Sequence, residues 1–292
     1  MAWRVIVNPA AGRGRTQRLL PDLTGALAKS AADTSVEVSK APGEPTRLAH
    51  AAADDGYDIV ACGGDGVVSE VAGVAAERGR KLAIIPTGAG NDFARVLGYD
   101  TRHPLIAIDA LEHGTDKVVD LGSVNGRLFT CVTATGFDAE ANRWANTVTR
   151  LRGTTLYVAA VFRTLAVYRP HPFRVTIDDH IFDLDAWLVA VGNGPAYAGG
   201  MKITPGARMD DGLLDVTLVG AMSPFALLRT FPRVFRGTHV SHPAVQVHRG
   251  THVTIESRDG SGAMDVYADG ERVGPLPAVM EARPQALTVR VP

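Results

Sequence analysis

The chain has 292 residues and a formal net charge of −1, with 46% hydrophobic and 21% charged residues. These values are typical of a globular protein that is long enough for two domains. A net charge so close to zero supplies no broad basic surface, which argues against a general nucleic-acid-binding protein. No uncharged apolar run is long enough to cross a bilayer, so we expect no transmembrane segment.

Predicted strands and helices alternate through the first part of the chain. Leu19, Leu23 and Leu27, for example, recur at helical spacing after an apolar strand. This alternation predicts an α/β fold with a doubly wound parallel sheet and helices on both of its faces. The predicted strands are residues 3–7, 35–38, 59–61 and 82–85, and the predicted helices are residues 19–27, 45–53 and 103–112, with two more that begin at residue 67 and just after residue 92.

From about residue 116 the pattern changes to short strands, with Asn125-Gly126 as a strong hairpin signal. Short strands separated by Asp-Gly, Asn-Gly and Gly-Gly turns are typical of a mainly antiparallel β-sandwich or barrel-like domain. We therefore predict domains at residues 1–125 and 126–292, and leave open a return of the last strand to the first domain. The predicted elements are helices at 139–149 and 155–168 and strands at 173–177, 186–193, 213–219, 244–248, 252–257, 264–269 and 286–291.

The two cysteines, Cys62 and Cys131, both lie inside apolar runs that resemble strands. Such residues are most simply buried hydrophobic side chains in a reducing compartment. The sequence therefore predicts a cytoplasmic protein and leaves peripheral contact with a membrane open.

Two glycine-rich loops, GGDG at residues 63–66 and TGAGND at residues 87–92, each follow a buried strand. Glycine can take positive φ and lets another molecule approach the backbone, and a helix that begins there offers free N–H groups. Two such loops side by side would form an anion site at the carboxyl edge of the sheet. Each loop also carries an aspartate, Asp65 and Asp92. A carboxylate beside a phosphate site needs a cation or a proton between them, which predicts a nucleotide with Mg²⁺ and phosphoryl transfer.

These two loops resemble the signature loops of the diacylglycerol kinase catalytic family, which includes bacterial lipid kinases and the sphingosine and ceramide kinases. NAD kinase and phosphofructokinase share the first loop more distantly. Four further segments match in the family's order, namely NPAAGRGR at 8–15, VDLG at 119–122, DDGLLDV at 210–216 and ADGE at 268–271. The resemblance implies a nucleotide-binding domain of the NAD kinase and phosphofructokinase type followed by a β-rich lipid-binding domain. It also implies transfer of the γ-phosphate of ATP, with Mg²⁺, to a hydroxyl of diacylglycerol or a related lipid.

The predicted nucleotide-binding residues belong to three turns at the ends of strands. In the first turn, the planar guanidinium groups of Arg13 and Arg15 are suited to phosphate, although solvated arginines in a surface turn are the alternative. The full set is Asn8, Gly12, Arg13, Arg15, Gly63, Gly64, Gly66, Thr87, Gly88, Gly90, Asn91 and Asp92.

The resemblance implies catalytic roles for Asp65, Asp269 and Glu271. A carboxylate within hydrogen-bond reach of the lipid hydroxyl could accept its proton during attack on phosphorus. The alternative for Asp65 is a helix cap and that for Asp269 is an ordinary Asp-Gly turn. The sequence does not decide which of the two is the base.

The resemblance also implies an aspartate–water–magnesium network that includes Asp92, with Asp120, Asp211 and Asp215 as the predicted metal-binding residues. Carboxylates are the ligands that Mg²⁺ prefers. The alternative for Asp211 is the turn of an ordinary hairpin.

Two departures from the family pattern leave other functions open. Val67 and Ala89 stand where the family usually has hydroxyl-bearing residues that could donate to phosphate. A hydrogen bond to a charged group contributes roughly 1.5–3 kcal/mol, so the two losses could weaken catalysis. Thr87 or backbone amides could substitute. The alternatives are a soluble-substrate kinase of the NAD kinase type, or a relative that binds nucleotide or phospholipid with little turnover.

A stretch at residues 224–238 interleaves Arg229, Arg233 and Arg236 with three phenylalanines. A basic face beside aromatic residues could lie on an anionic membrane, whereas the more common arrangement buries the aromatic rings in the protein core. We expect a lipid substrate at a membrane surface and no nucleic-acid partner, and leave a homodimer open.

Overall fold

The computed structural model of the chain describes residues 2–137, 164, 168–260 and 264–292. The predicted helix at 139–149 lies outside the described residues, as does most of the one at 155–168. In the part of the chain that is described, no helix is long and apolar enough to cross a membrane.

The N-terminal lobe is a parallel sheet in the order β2-β1-β3-β4. The usual right-handed crossovers put α1 on one face and α2 and α3 on the other, and α2 and α3 do pack together. This arrangement confirms the predicted α/β class. Its elements are β1 (Ala2–Val7), α1 (Ala11–Leu27), β2 (Asp33–Val38), α2 (Glu44–Asp54), β3 (Asp58–Gly63), α3 (Asp65–Glu77), β4 (Leu82–Pro86), α4 (Asp92–Val96), a 3-10 helix (Pro104–Ile108) and α5 (Asp109–His113).

Burial on both faces explains the uninterrupted apolar character of the central strands. Every residue of β4 is buried, as are all residues of β3 after Asp58. Strands covered by helices on both sides need no polar face, so their sequences do not alternate. Both strands end at the same edge of the sheet, and each is followed there by one of the two glycine-rich loops.

The C-terminal lobe consists mainly of antiparallel strands, which confirms the predicted β-sandwich domain. Phe173, Val189 and Val216 belong to a separate apolar core inside it. Its elements are β5 (Thr115–Val124), β6 (Arg127–Phe129), β7 (Val132–Gly136), β8 (His171–Ile177), β9 (His180–Gly192), β10 (Leu214–Gly220), α6 (Pro224–Thr230), 3-10 helices at Phe231–Arg236 and Thr238–Ser241, β11 (Val245–Gly250), β12 (His252–Ser257), β13 (Asp265–Ala268), β14 (Glu271–Pro275) and β15 (Ala278–Val291).

The last strand joins the two lobes. The first part of β15 pairs with β12, β5 runs antiparallel along most of its length, and Val289 near its end pairs with Leu82 of β4 in parallel. As a result, the strands of the described residues form one hydrogen-bonded sheet that continues from lobe to lobe. The carboxyl edge of the parallel strands therefore faces the second lobe across a cleft.

Candidate active site between the two lobes

The two glycine-rich loops touch backbone to backbone at the carboxyl edge of the sheet. The amides of Thr87 and Gly88 both donate to the Gly63 carbonyl, at 2.9 and 3.1 Å. A Cβ atom on Gly88 would lie 2.3 Å from the Cα of Gly64. Glycine is therefore required at residue 88 by the close approach of the neighbouring loop.

Asp65 is the first residue of α3, but its carboxylate binds the neighbouring helix. Its two oxygens accept the amides of Asn91 at 2.7 Å and Asp92 at 2.6 Å, which lie at the start of α4. The amides at the start of a helix have no partner within it, so Asp65 caps α4 and not α3. Gly90 leaves room for this contact, since a Cβ there would lie 2.5 Å from Oδ2 of Asp65.

Asp92 is 4% exposed and points from the second loop toward the C-terminal lobe. One of its oxygens, Oδ2, accepts the Gly199 amide at 2.8 Å. The other oxygen, Oδ1, is buried and has no hydrogen-bond partner among the described residues. An unpartnered buried carboxylate oxygen is costly and therefore marks a place where a ligand or ion would be stabilised.

Asp269 lies in the turn between β13 and β14 with a left-handed backbone, φ 48°. Its Oδ2 accepts the Ser69 hydroxyl at 2.8 Å, and the Thr130 amide and hydroxyl at 2.6 and 2.9 Å. Its Oδ1 accepts the amides of Cys131 at 2.9 Å and Val132 at 3.1 Å. An ionised carboxylate has about four acceptor sites, so five donors occupy both oxygens fully. Asp269 thereby joins α3 of the first lobe to the strand β7 of the second.

Two of the three carboxyl groups, Asp65 and Asp92, have pKa values above their ordinary range. Burial raises the pKa of Asp65 to about 6, and the negative charges of Asp92 and Asp269 add to this, while its two amide donors oppose it. Burial likewise raises the pKa of Asp92, against the opposing effects of the Gly199 and Gly200 amides and of Arg95. The site therefore holds one carboxyl, Asp65, that titrates near neutral pH.

Two cavities meet at these residues. One, of about 580 Å³, lies between the lobes and is lined by Asp65, Asp92 and Asp269. The other, of about 490 Å³, lies over the glycine-rich loops of the N-terminal lobe. Asp65 and Ala89 line both cavities, so a ligand in one can reach a ligand in the other at this point.

The loop that follows β1 forms part of the second cavity. Asn8 accepts the Ala10 amide at 3.0 Å and, with Gly12, lines the cavity wall. Gly12 has φ 58°, and a Cβ there would lie 2.3 Å from the carbonyl oxygen of Thr87. Arg13 is exposed in the same left-handed turn. The turn is therefore held against the second glycine-rich loop.

Arg15 and Thr87, which the sequence predicts to contact the nucleotide, have other protein groups as partners. The Arg15 guanidinium donates to the carbonyls of Thr101 at 3.5 Å and Arg102 at 2.9 Å, because the helix carries it toward that loop. The Thr87 hydroxyl is buried and bonded to the hydroxyl of Thr16 at 2.6 Å. Thr87 cannot, in this arrangement, replace the hydroxyls that Val67 and Ala89 lack.

Each of the three residues predicted to bind metal, Asp120, Asp211 and Asp215, accepts a hydrogen bond from the protein. Asp120 accepts the amides of Gly212 and Gln285, both at 2.7 Å, and so joins β5 to the turn before β10 and to an irregular point inside β15. Asp215 accepts Nε of Arg249 at 3.2 Å, and burial raises its pKa against the opposing charge of that arginine. Within the described ranges, no three His, Cys, Asp or Glu side chains form a group that could hold a metal ion. Asp120 uses both of its carboxylate oxygens for backbone amides, whereas Oδ2 of Asp215 is buried and has no hydrogen-bond partner in the described part of the chain.

Asp211 accepts the amide of Leu213 two residues further along, at 3.2 Å. This is the local contact of an Asx turn, which agrees with the alternative of an ordinary hairpin.

Glu271 follows Asp269 and is exposed at the rim of the glycine-loop cavity. A Cβ on Gly66 would lie 3.2 Å from its Oε1. Glu271 therefore approaches the first glycine-rich loop from the opposite lobe.

Several cavity residues were not predicted. Ser39 and Lys40 follow β2 at the same edge of the sheet, and Glu70 lies one turn into α3. Ser39 and Lys40 directly follow a parallel strand, and this position could have indicated that they lie at the ligand site. On the other side, Tyr197 and Phe235 line the carboxylate cavity, and only folding brings them there.

Comparison with known proteins agrees with this geometry. Residues 2–124 match the diacylglycerol kinase catalytic domain, and residues 131–291 match the YegS C-terminal NAD kinase beta sandwich-like domain. A diacylglycerol kinase of Mycobacterium tuberculosis (strain CDC 1551 / Oshkosh) is 36% identical over 98% of this chain and 94% of its own length. The chain belongs to the diacylglycerol kinase family.

A further relative and a solved structure extend this agreement. A diacylglycerol kinase of Staphylococcus saprophyticus is 31% identical over 94% of this chain and 90% of its own length. The crystal structure of a candidate diacylglycerol kinase from Bacillus anthracis str. Sterne covers all of this chain and 95% of its own, with a TM-score of 0.83 and 26% identity. The family catalytic domain makes the chain a kinase, as the resemblance predicted.

Proposed function

We propose that this kinase transfers the γ-phosphate of ATP, with Mg²⁺, to a hydroxyl group of diacylglycerol or a related lipid. The observation that carries the proposal is the shared wall between the two cavities at Asp65 and Ala89. A nucleotide over the glycine-rich loops would present its terminal phosphate to a substrate in the carboxylate cavity. We assign nucleotide binding to residues 1–125 and lipid binding to residues 126–292 as a working division.

The glycine-loop cavity has the features of a phosphate site. The first amides of α3, at Asp65 and Gly66, point out of the start of a helix, where they have no intrahelical partner. Lys40 adds positive charge to the lining of the same cavity, and the exposed Arg13 follows the lining residue Gly12 in the chain. We therefore assign phosphate binding to the loops at 8–12, 63–66 and 88–90.

The residues fit a magnesium ion bound between phosphate and protein. Oδ1 of Asp92 is a buried carboxylate oxygen that has no hydrogen-bond partner among the described residues, so we assign the ion to Asp92. Mg²⁺ in kinases is commonly held by one or two carboxylates together with water and substrate phosphates. When bound, the ion would neutralise charge that develops on the transferring phosphoryl group.

Asp65 is the better candidate for the base. The hydroxyl oxygen of the lipid would form the new bond to the γ-phosphorus, its proton would pass to Asp65, and the bond to the departing ADP oxygen would break. A base is most effective with a pKa near the working pH, and the pKa of Asp65 is raised to about 6. Asp269 already accepts five hydrogen bonds, so we assign it a positioning role that holds the two lobes together at the site.

An apolar cavity beside the carboxylates supports a lipid substrate over a soluble one. The cavity, of about 60 Å³, is lined by aromatic and aliphatic side chains such as Phe137, Trp187 and Leu227. Tyr197 and Met201 line both this cavity and the carboxylate cavity, so the two are neighbours. A lipid whose hydroxyl lies at Asp65 would find an apolar surface next to it.

A binding protein with weak turnover is the second candidate, and Val67 is the observation that favours it. Val67 is buried against Gly63 and lines the glycine-loop cavity, so a methyl group stands where a hydroxyl would face phosphate. Loss of such a donor would slow the reaction without preventing nucleotide binding.

Transfer of labelled γ-phosphate tests the proposal. The purified protein would be incubated with ATP and Mg²⁺ and mixed micelles of diacylglycerol, monoacylglycerol, sphingosine, ceramide or phosphatidylglycerol, with NAD⁺ as the soluble substrate. Asp65→Asn is the inactive comparison, and Asp179→Asn makes the same chemical change at an exposed turn far from the site. We expect a labelled lipid that is absent with Asp65→Asn and unchanged with Asp179→Asn. Label on NAD⁺ alone would refute the lipid assignment, and nucleotide binding without transfer to any substrate would favour the binding protein.

A further inference from the structure

The segment that follows β10 has one buried side and one exposed side. Thr230, Val234 and His239 are buried in the lobe, and Gly237 closes the turn with φ 70° where a Cβ would lie 2.8 Å from Pro205. Exposed residues recur at three- and four-residue spacing, which defines one outward surface of a helical segment. We call this the basic-aromatic face, and it consists of Phe225, Arg229, Pro232, Phe235 and Arg236.

The two aromatic rings of this face are unusually accessible. Phe225 is 74% exposed and Phe235 is 50% exposed. Single exposed apolar residues are common on proteins, but two large rings on one helical segment form a patch that calls for a partner.

The charged residues of the chain segment that carries these rings are all basic. Residues 216–255 contain four arginines and no aspartate or glutamate, in a chain whose overall charge is −1. Arg229 and Arg236 are exposed, and no ion pair between described residues involves either of them. Arg233 is held in place by the Thr238 carbonyl at 2.9 Å and the Ser241 hydroxyl at 2.6 Å. Such a face complements a negatively charged surface.

The basic-aromatic face adjoins the mouth of the active site. Phe235 lines the carboxylate cavity together with Asp65, Asp92 and Asp269, although half of its surface is open to solvent. Its ring packs edge-on against the ring of Phe231, with 6.2 Å between the two ring centroids. Phe231 in turn lines the neighbouring apolar cavity. The face therefore leads from the outer surface to both cavities of the second lobe.

We propose that the basic-aromatic face docks on the surface of an anionic lipid bilayer, with the Phe225 and Phe235 rings at the acyl boundary and Arg229 and Arg236 among the headgroups. Interfacial helices commonly place apolar side chains at the acyl boundary and basic side chains among the headgroups. Docking there would place the cleft over the membrane from which its substrate comes. The inference deepens the proposed function and depends on it for the identity of the lipid, but docking itself needs no turnover.

Vesicle co-sedimentation without ATP tests docking apart from catalysis. Vesicles of phosphatidylcholine, with and without phosphatidylglycerol, would be mixed with the wild-type protein, with Arg229→Glu/Arg236→Glu, and with Arg18→Glu/Lys29→Glu. The last variant makes the same change in net charge at exposed residues of the first lobe. Each basic residue near an anionic bilayer contributes about fivefold in binding, so we expect the first variant to bind anionic vesicles at least about 25-fold more weakly and the control to bind like wild type.

A matched pair of variants tests the contribution of an aromatic ring to vesicle binding. Phe225→Ser should lower binding to anionic vesicles, whereas Ile181→Ser, at a 63% exposed position on the β8–β9 hairpin, should leave it unchanged. Asp65→Asn should bind vesicles like wild type even though it transfers no phosphate, which separates docking from the proposed activity. Phosphate transfer to a short-chain diacylglycerol dispersed in water should survive in Arg229→Glu/Arg236→Glu.

Several results would overturn the proposal. Unchanged vesicle binding by Arg229→Glu/Arg236→Glu would do so, as would an equal loss in the control of equal charge. If wild type proved to be a dimer that this variant dissociates, with vesicle binding unaltered, the face would be a subunit interface. Failure of phosphate transfer to every lipid, with docking intact, would refute the proposed function and leave the membrane contact standing.

Discussion

The carboxylate of Asp65, in the first turn of α3, caps the adjacent helix α4 by accepting the amide of Asp92 at 2.6 Å. This bond holds the two glycine-rich loops together, and it also brings the partly buried carboxylate of Asp65 close to the buried carboxylate of Asp92. Burial raises the pKa of Asp65, and the negative charge of Asp92 raises it further. One contact thus organises the loops and sets the protonation of the residue to which we assign proton transfer.

The first prediction concerns the pH dependence of turnover. If Asp65 accepts the proton, it must be ionised, so kcat/KM should rise with pH through about 6 and level off above it. The rate would be measured with dispersed substrate at saturating Mg²⁺, so that neither membrane binding nor metal loss intrudes. A profile that is flat from pH 5 to 7 would contradict the assignment. Asp65→Asn should lower kcat by about 10²- to 10⁴-fold.

The raised pKa of Asp65 also predicts that stability falls with rising pH, whereas turnover rises. The pKa of Asp65 is higher in the folded protein than its ordinary value of 3.8, so the stabilisation is complete below that value and is lost as pH rises through about 6. Asp65→Asn removes the titration. Between pH 4 and 7, its free energy of unfolding should therefore improve relative to wild type by on the order of 2 kcal/mol. Urea unfolding of both proteins at the two pH values measures the difference, which Asp179→Asn should not show.

Asp269 should matter more for stability than Asp65 does. Replacing it with Ala leaves the amides of Thr130, Cys131 and Val132 without their acceptor, and buried unsatisfied donors cost about 1–3 kcal/mol each. We expect Asp269→Ala to lose at least about 3 kcal/mol of unfolding free energy, measured by urea denaturation.

Ser69→Ala is the control for that experiment, because it removes only the hydroxyl contact between α3 and Asp269. It should cost about 1 kcal/mol and leave the turn intact. Equal losses in the two variants would mean that Asp269 acts only through Ser69.

The glycine-rich loops give a steric prediction. Gly88→Ala would put a methyl group 2.3 Å from the Cα of Gly64, where neither backbone can yield, so we expect loss of both stability and nucleotide binding. Gly25→Ala is the matched change, since Gly25 lies in α1 and a Cβ there meets nothing within 4 Å. It should stabilise the protein by about 0.5–1 kcal/mol. Thermal unfolding and calorimetric titration with ATP distinguish the two variants.

Sequence patterns predicted the fold and the location of the site better than its hydrogen bonds. The alternation of β3, α3 and β4 and the glycines beside them place Asp65 and Asp92 at one sheet edge, because parallel strands share their carboxyl ends. Local motifs do not show which group a side chain contacts across the fold. The sequence does not show, for example, that the Arg15 guanidinium donates to the carbonyls of Thr101 and Arg102.

The C-terminal aspartates show the same limit in a different way. Asp120 and Asp215 lie in segments that match the family, but their partners come from residues 34 to 165 positions further along the chain. The sequence supplies the carboxylates, whereas only the packed lobe shows that backbone amides bind Asp120 and that Arg249 pairs with Asp215. Phe235 was likewise visible as an aromatic residue in a basic stretch, but its place in the wall of the cleft depends on β10 and the segment after it.

Val67 gives the last prediction, because it separates a weak kinase from a binding protein. Its side chain is 7% exposed, packs against Gly63 and lines the glycine-loop cavity, so Val67→Thr keeps the shape and adds one hydroxyl at the phosphate position. A new hydrogen bond to a charged phosphate is worth roughly 1.5–3 kcal/mol, which corresponds to an increase in kcat/KM of about 10- to 100-fold. Val68→Thr is the matched control, since Val68 is buried in the same helix and does not line the cavity. If Val67→Thr raises turnover and Val68→Thr only lowers stability, the missing hydroxyl limits the rate. If Val67→Thr leaves kcat/KM unchanged, other groups of the loops already supply that contact.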